Sequence, residues 1–284
     1  MGRSKQPARN LCRLFIQRAW MAALLLSSLG GFAGTCLAQT LANDVVISPS
    51  GDALARTRKY VQEYFERFSD LICKESVTQL VLNGSGRTIY RENSAYDYQF
   101  QSSDQTGSWK FNEIRVSRSP AFRDPARTLL VTTGFASLLL VAHPMYEASY
   151  AFAPDGEEAL DGTSYLKIHF TPIAGAPSPA TLRLRGRNYP LPLSGTLWID
   201  PRSGAVVKLE ATVDSGLSDI GLAGMHSEVH FALHPFHDRA DSVWVPETAA
   251  IDVETPHQHW RNLHHFTAYK KFDVNVQEQI GETP

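Results

Sequence analysis

Leu191-Pro-Leu-Ser-Gly-Thr-Leu-Trp-Ile-Asp-Pro-Arg-Ser-Gly-Ala-Val-Val-Lys-Leu-Glu-Ala-Thr-Val213 reads as a β-hairpin. Leu193, Gly195, Leu197 and Ile199 alternate with Ser194, Thr196, Trp198 and Asp200. After the turn, Val207, Leu209, Ala211 and Val213 alternate with Lys208, Glu210, Thr212 and Asp214. A period of two with one apolar face is a half-buried antiparallel pair. Asp200-Pro201-Arg202-Ser203-Gly204 supplies a side-chain acceptor, a proline preset for a turn and a glycine free to take positive φ. One face of this hairpin must cover apolar groups supplied by the rest of the chain.

The first 38 residues do not supply them. Arg3, Lys5, Arg9, Arg13 and Arg18 precede an apolar run from Trp20 to Leu29, and Cys36-Leu37-Ala38 ends in a small residue. This pattern predicts a secretory signal peptide over 1–38, cleaved near Ala38. Lipidation at Cys36 is the alternative, although Thr35 and Ala33 fit that signal poorly. Residues 39–51 read as a linker, 52–274 as one domain and 275–284 as a tail. Five of the 27 basic residues lie in the leader and all 29 acidic residues lie beyond it, so 22 cations face 29 anions in the remainder, a net charge of −7. That balance excludes nucleic acid as the expected partner. Only Cys73 remains after the leader, so core packing rather than a disulfide must hold the fold.

Leu54, Thr57, Val61, Tyr64, Phe65, Phe68 and Leu71 recur at helical spacing and predict an amphipathic helix over 52–69. From Cys73 the period changes to two. Strands over 73–82 and 87–100 flank Asn83-Gly-Ser-Gly86, and a third follows over 109–117 beyond a polar loop at 101–107. Leu129 to Val141 is apolar nearly all round and predicts a buried second helix after Asp124-Pro125, stopped by Pro144. Strands resume over 145–153 and 165–172, separated by a turn at Asp155-Gly156. A Pro-rich loop over 174–190 leads to the opening hairpin, and strands over 224–235, 243–253 and 259–274 follow. The fold class is α+β: a large curled antiparallel sheet of about 9–11 strands, an unclosed barrel, with helices on its concave side.

Ten histidines invite a metal site. On a strand, however, His226 and His234 lie roughly 26 Å apart at about 3.3 Å per residue, and no His-Glu-x-x-His spacing occurs. Glu228 with His230, or His257 with His259, could each contribute a ligand pair, and a His-dependent metalloenzyme is the second alternative. Nucleophile-elbow, phosphate-loop and dinucleotide motifs are absent, so neither catalytic residues nor a cofactor is expected. Asp97, Glu113 and Asp252 are carboxylates that the sequence does not place together. Arg183, Arg185 and Arg187 alternate with Leu182, Leu184 and Gly186, forming either a solvated face or a contact for an anionic head group.

With an early amphipathic helix before the first strand, an apolar second helix within the strand series, the Leu193-to-Leu209 hairpin and the late Val243-Trp-Val-Pro-Glu247 strand, the chain resembles the LolA/LppX-like lipoprotein-carrier and sorting fold, also used by RseB-type envelope-stress sensors. The resemblance implies an unclosed barrel with a hydrophobic cavity for acyl chains. It implies a periplasmic, non-enzymatic carrier of lipid or lipoprotein, or a sensor or scaffold that binds an outer-membrane or envelope protein. Tyr96, Tyr98, Phe100, Leu138, Leu139, Leu197, Ile199, Leu209, Val229 and Phe231 are the expected cavity wall, each with ordinary core as its alternative.

Overall fold

The computed structural model describes residues 49–67, 71–105, 108–118, 132, 134–184, 187–213, 217–236 and 242–271. The leader, the linker to residue 48 and the tail lie outside them. Helix α1, Pro49–Arg67, begins three residues before the predicted start, since Pro49 suits a first helical turn that needs no N–H donor there. Its buried stripe is Ala53, Thr57, Val61, Tyr64 and Phe65, a single helical face.

Twelve strands follow among the described residues: β1 Leu71–Leu82, β2 Thr88–Gln105, β3 Ser108–Ser117, β4 Tyr150–Leu160, β5 Thr163–Pro172, β6 Thr181–Leu184, β7 Arg187–Pro190, β8 Ser194–Ile199, β9 Val206–Val213, β10 Gly224–Pro235, β11 Ser242–Glu254 and β12 His259–Lys271. Ten form one antiparallel sheet in the order β3-β2-β1-β12-β11-β10-β9-β8-β5-β4. Its ends are different strands that do not pair, so the sheet is open. Laid flat it would be about 43 Å wide at the usual strand spacing. Yet residues from nine of its strands, β2 through β4, join one core cluster with α1. The sheet is therefore curled, and that cluster lies on its concave side. Among the described residues no helix is long and apolar enough to cross a membrane.

The opening hairpin is β8–β9, with Leu193, Leu197, Ile199, Leu209, Ala211 and Val213 all buried. Its turn seats on α1: Arg56 Nε donates to Pro201 O at 3.0 Å. Gly204 takes φ +78°, and a Cβ there would lie 2.6 Å from the Arg56 carbonyl carbon.

Five expectations are corrected. Strand β2 runs on to Gln105, paired with β3, through the predicted polar loop. Of the apolar second helix, the residues before 132 and residue 133 lie outside the described residues, and Ser137–Ala142 is a 3-10 turn rather than α. A second 3-10 turn, Pro144–Ser149, replaces the start of the strand predicted over 145–153. His143 between them is extended, at φ −72° and ψ 141°, because the ring of Pro144 disfavours helical backbone before it. Asp155-Gly156 is a bulge within β4, with the register shifting between Pro154 and Glu157. Asp161-Gly162, both at positive φ, make the turn into β5. Finally, the Pro-rich loop contains the separate two-stranded hairpin β6–β7.

Candidate functional site

Between the concave face and the segments that cross it lies a cavity of about 870 Å³, within the ~300–1,000 Å³ common for single-ligand sites. The sheet supplies Ala211 of β9, Met225 and Ser227 of β10, Ile251 and Val253 of β11 and Trp260 of β12. Facing them are Phe135 and Leu138 from the first 3-10 region, Leu182 from β6, Leu191 and Leu193 before β8, and Ile220 and Leu222 in the β9–β10 connection. The wall is thus mainly apolar. Ser227 Oγ, buried in it, has no hydrogen-bond partner among the described residues.

Beside this cavity a polar network ties the crossing segment to the sheet. Glu75, on the inward face of β1, accepts from Arg115 Nε at 2.5 Å and Arg115 Nη2 at 2.6 Å. Its Oε1 lies 2.7 Å from His264 Nδ1. His264 Nε2 meets Thr132 Oγ1 at 2.8 Å, Asn262 Nδ2 donates to the same oxygen at 3.1 Å, and Arg115 Nη1 donates to the Thr132 carbonyl. A buried ionised group is costly unless paired and hydrogen-bonded, and Glu75 meets that requirement. Glu113 extends the tie by accepting from Gly134 N–H at 2.6 Å. Burial raises its carboxyl pKa against the lowering effect of that bond and of Arg115.

Of the ten residues expected to line a cavity, Leu138 does so. Tyr98, Phe100, Leu139, Leu197, Ile199, Leu209, Val229 and Phe231 pack into the buried core cluster instead. Tyr96 is half-buried on β2, with the Arg115 guanidinium 5.8 Å from its ring centroid. Of the connections that supply much of the wall, 220–222 carries no periodic signal, and the alternation over 182–187 is too short to show what it faces.

The histidines disperse. His226 and His230 lie on the face of β10 opposite the core, His230 paired with Glu228. His259 contacts Asp252 at 2.9 Å, Arg261 also binds Asp252, and Asp97 pairs with Arg118. His237 and Asp238 lie outside the described residues. Among the described residues no group of three His, Cys, Asp or Glu side chains is placed to hold a metal ion. Cys73 is buried and free, and burial pushes its thiol pKa up to about 12, so it stays protonated and a poor nucleophile. Arg183 and Arg187 are exposed on β6–β7, and the register sets them on opposite faces of that ribbon. Arg185 lies outside the described residues.

No protein-family model matches the chain, and no curated protein matches it in sequence. Solved structures similar to it include a DUF1329 family protein from Desulfovibrio piger, at 10% identity and a TM-score of 0.45 over 81% of this chain and 95% of that one. A domain from Vibrio parahaemolyticus assigned to outer membrane lipoprotein sorting is 14% identical, with a TM-score of 0.44 over 81% of this chain and 94% of that one. A LolA superfamily protein from Nitrosomonas europaea is 10% identical, with a TM-score of 0.37 over 77% of this chain and 94% of that one. These likenesses concern the fold and bear on neither ligand nor activity.

Proposed function

We propose that this chain is an exported, non-enzymatic carrier or binding protein for the acyl chain of a lipid or lipoprotein, and that the concave cavity is its binding site. The observation that carries this reading is an apolar space of about 870 Å³ bounded by the curled sheet and the segments crossing it. Each methylene moved from water into such a space contributes about 0.8 kcal/mol. A twelve-carbon chain therefore gains roughly 9 kcal/mol before the cost of ordering it is subtracted. Export, with the leader removed near Ala38, belongs to the same reading.

Native mass spectrometry on the protein purified from an exporting host without detergent tests it. A stoichiometric adduct in the mass range of an acyl lipid is expected, and it should be lost when Leu138→Trp fills the cavity. A bare mass that takes up no added fatty acid or phospholipid would sink the proposal and leave binding to an envelope protein as the better account.

A further inference from the structure

Two charged residues line the cavity, and they are not equivalent. Glu113 on β3 is engaged, its carboxylate held by the Gly134 N–H and, at 3.4 Å, by Ser137 Oγ. Arg183 on β6 is exposed and has no ion-pair or hydrogen-bond partner among the described residues. Its cross-strand partner is Asn188 of β7, which also lines the cavity. Directly opposed residues in an antiparallel pair stand on one face with their Cβ atoms about 5 Å apart. Guanidinium and amide therefore project together at the cavity rim. The sequence around them supplies no counter-charge: no Asp or Glu occurs from Gly162 to Ile199, although the chain holds 29 acidic residues.

We propose that Arg183 and Asn188 hold the anionic oxygen head group, phosphate or carboxylate, of an amphiphile whose acyl chain occupies the cavity. This rests on the acyl-cavity reading and adds a polarity to it: charge at the β6–β7 hairpin, tail inward. The guanidinium presents a planar fork of N–H donors that matches the paired oxygens of either anion, and the Asn188 amide adds an N–H from the neighbouring strand. Glu113, the other ionisable side chain on the wall, supplies no cation for such a head group. The other basic side chain described on this ribbon, Arg187, does not line the cavity and lends long-range attraction rather than a contact.

The test compares three twelve-carbon probes below their aggregation concentrations by titration calorimetry: dodecanoate, dodecyl phosphate and 1-dodecanol. In about 50 mM salt the unsubstituted protein should bind at least one of the two anions about tenfold more tightly than the alcohol, as a charge-assisted hydrogen bond at a partly wet site requires. That ratio should fall towards one in Arg183→Gln, be partly kept in Arg183→Lys, and shrink at about 0.5 M salt, where the screening length shortens. Tighter binding of dodecyl phosphate identifies a phospholipid-type head group, and tighter binding of dodecanoate a fatty acid. Equal affinity for alcohol and anions, or an anion preference that survives Arg183→Gln, overturns this inference and leaves the acyl cavity standing. Absence of binding by all three probes overturns the cavity reading and this inference with it.

Discussion

His264 lies between two oxygens, and its burial favours the neutral ring. With Nδ1–H donating to Glu75 and Nε2 accepting from the Thr132 hydroxyl, a neutral imidazole satisfies both partners, while Thr132 Oγ accepts from Asn262. Burial lowers the pKa of His264 from its ordinary 6.5 by more than the Glu75 contact raises it. Below about pH 6.5 the unfolded chain therefore takes up a proton that the folded chain refuses. Stability from this residue is present above that pH and declines as pH falls, at up to about 1.4 kcal/mol per pH unit. His143, lowered chiefly by burial, adds in the same direction. Urea unfolding at pH 7.5 and 5.5 should show the loss, and His264→Gln should flatten the dependence; an unchanged slope would count against a neutral buried His264. Part of this network was legible in the sequence. Period two puts Glu75 on the face of Cys73 and Val77, and a carboxylate at a core position demands a buried partner. Its partners, 40 and 189 residues away, carried no spacing signal.

The elements separate local signals that suffice from those that do not. Asp155-Gly156 and Asp161-Gly162 are the same dipeptide, each beside a strand, and either reads as a tight turn. Pairing distinguishes them. Continuing β4 through the first, as a bulge, keeps Phe152 opposite Phe170 and lets Leu160 meet Thr163 across the second. The β8–β9 hairpin was legible because its alternation and its turn residues agree. The close seating of that turn on α1 was not, since the sequence gives no sign of what a glycine approaches. Gly204→Ala should cost more than about 1 kcal/mol, combining a positive φ with contact against the Arg56 backbone. Gly84→Ala, in a turn with nothing within 4 Å of the added carbon, should stay within about 0.5 kcal/mol. Thermal unfolding of the two variants side by side measures the contrast, and equal shifts would refute the seating.

For the whole sheet, alternation announces which residues face inward but not whether they meet other side chains or an open space. Core and cavity wall alternate alike, so the concave face was foreseeable while the division between packed core and cavity was not. The far wall of the cavity comes from the connections, at 179–183, 188–193 and 220–222, and the brief alternation over 182–187 does not reveal what it faces. One pairing ties the sheet together over the longest distance: β1 lies beside β12, from Leu71 opposite Lys271 to Leu82 opposite His259. A chain ending at residue 258 would leave β1 and β11 without the strand between them. It should lose its cooperative urea transition, and a retained sharp transition would show that the two halves of the sheet hold together without β12. The same pairing sets a schedule for synthesis. Roughly 200 residues separate the partners, so at about 5–20 residues per second the inner edge of β1 waits some 10–40 seconds for its neighbour. Throughout that interval the nascent chain offers an unpaired strand to any other chain nearby, and a holding chaperone has its reason to bind there.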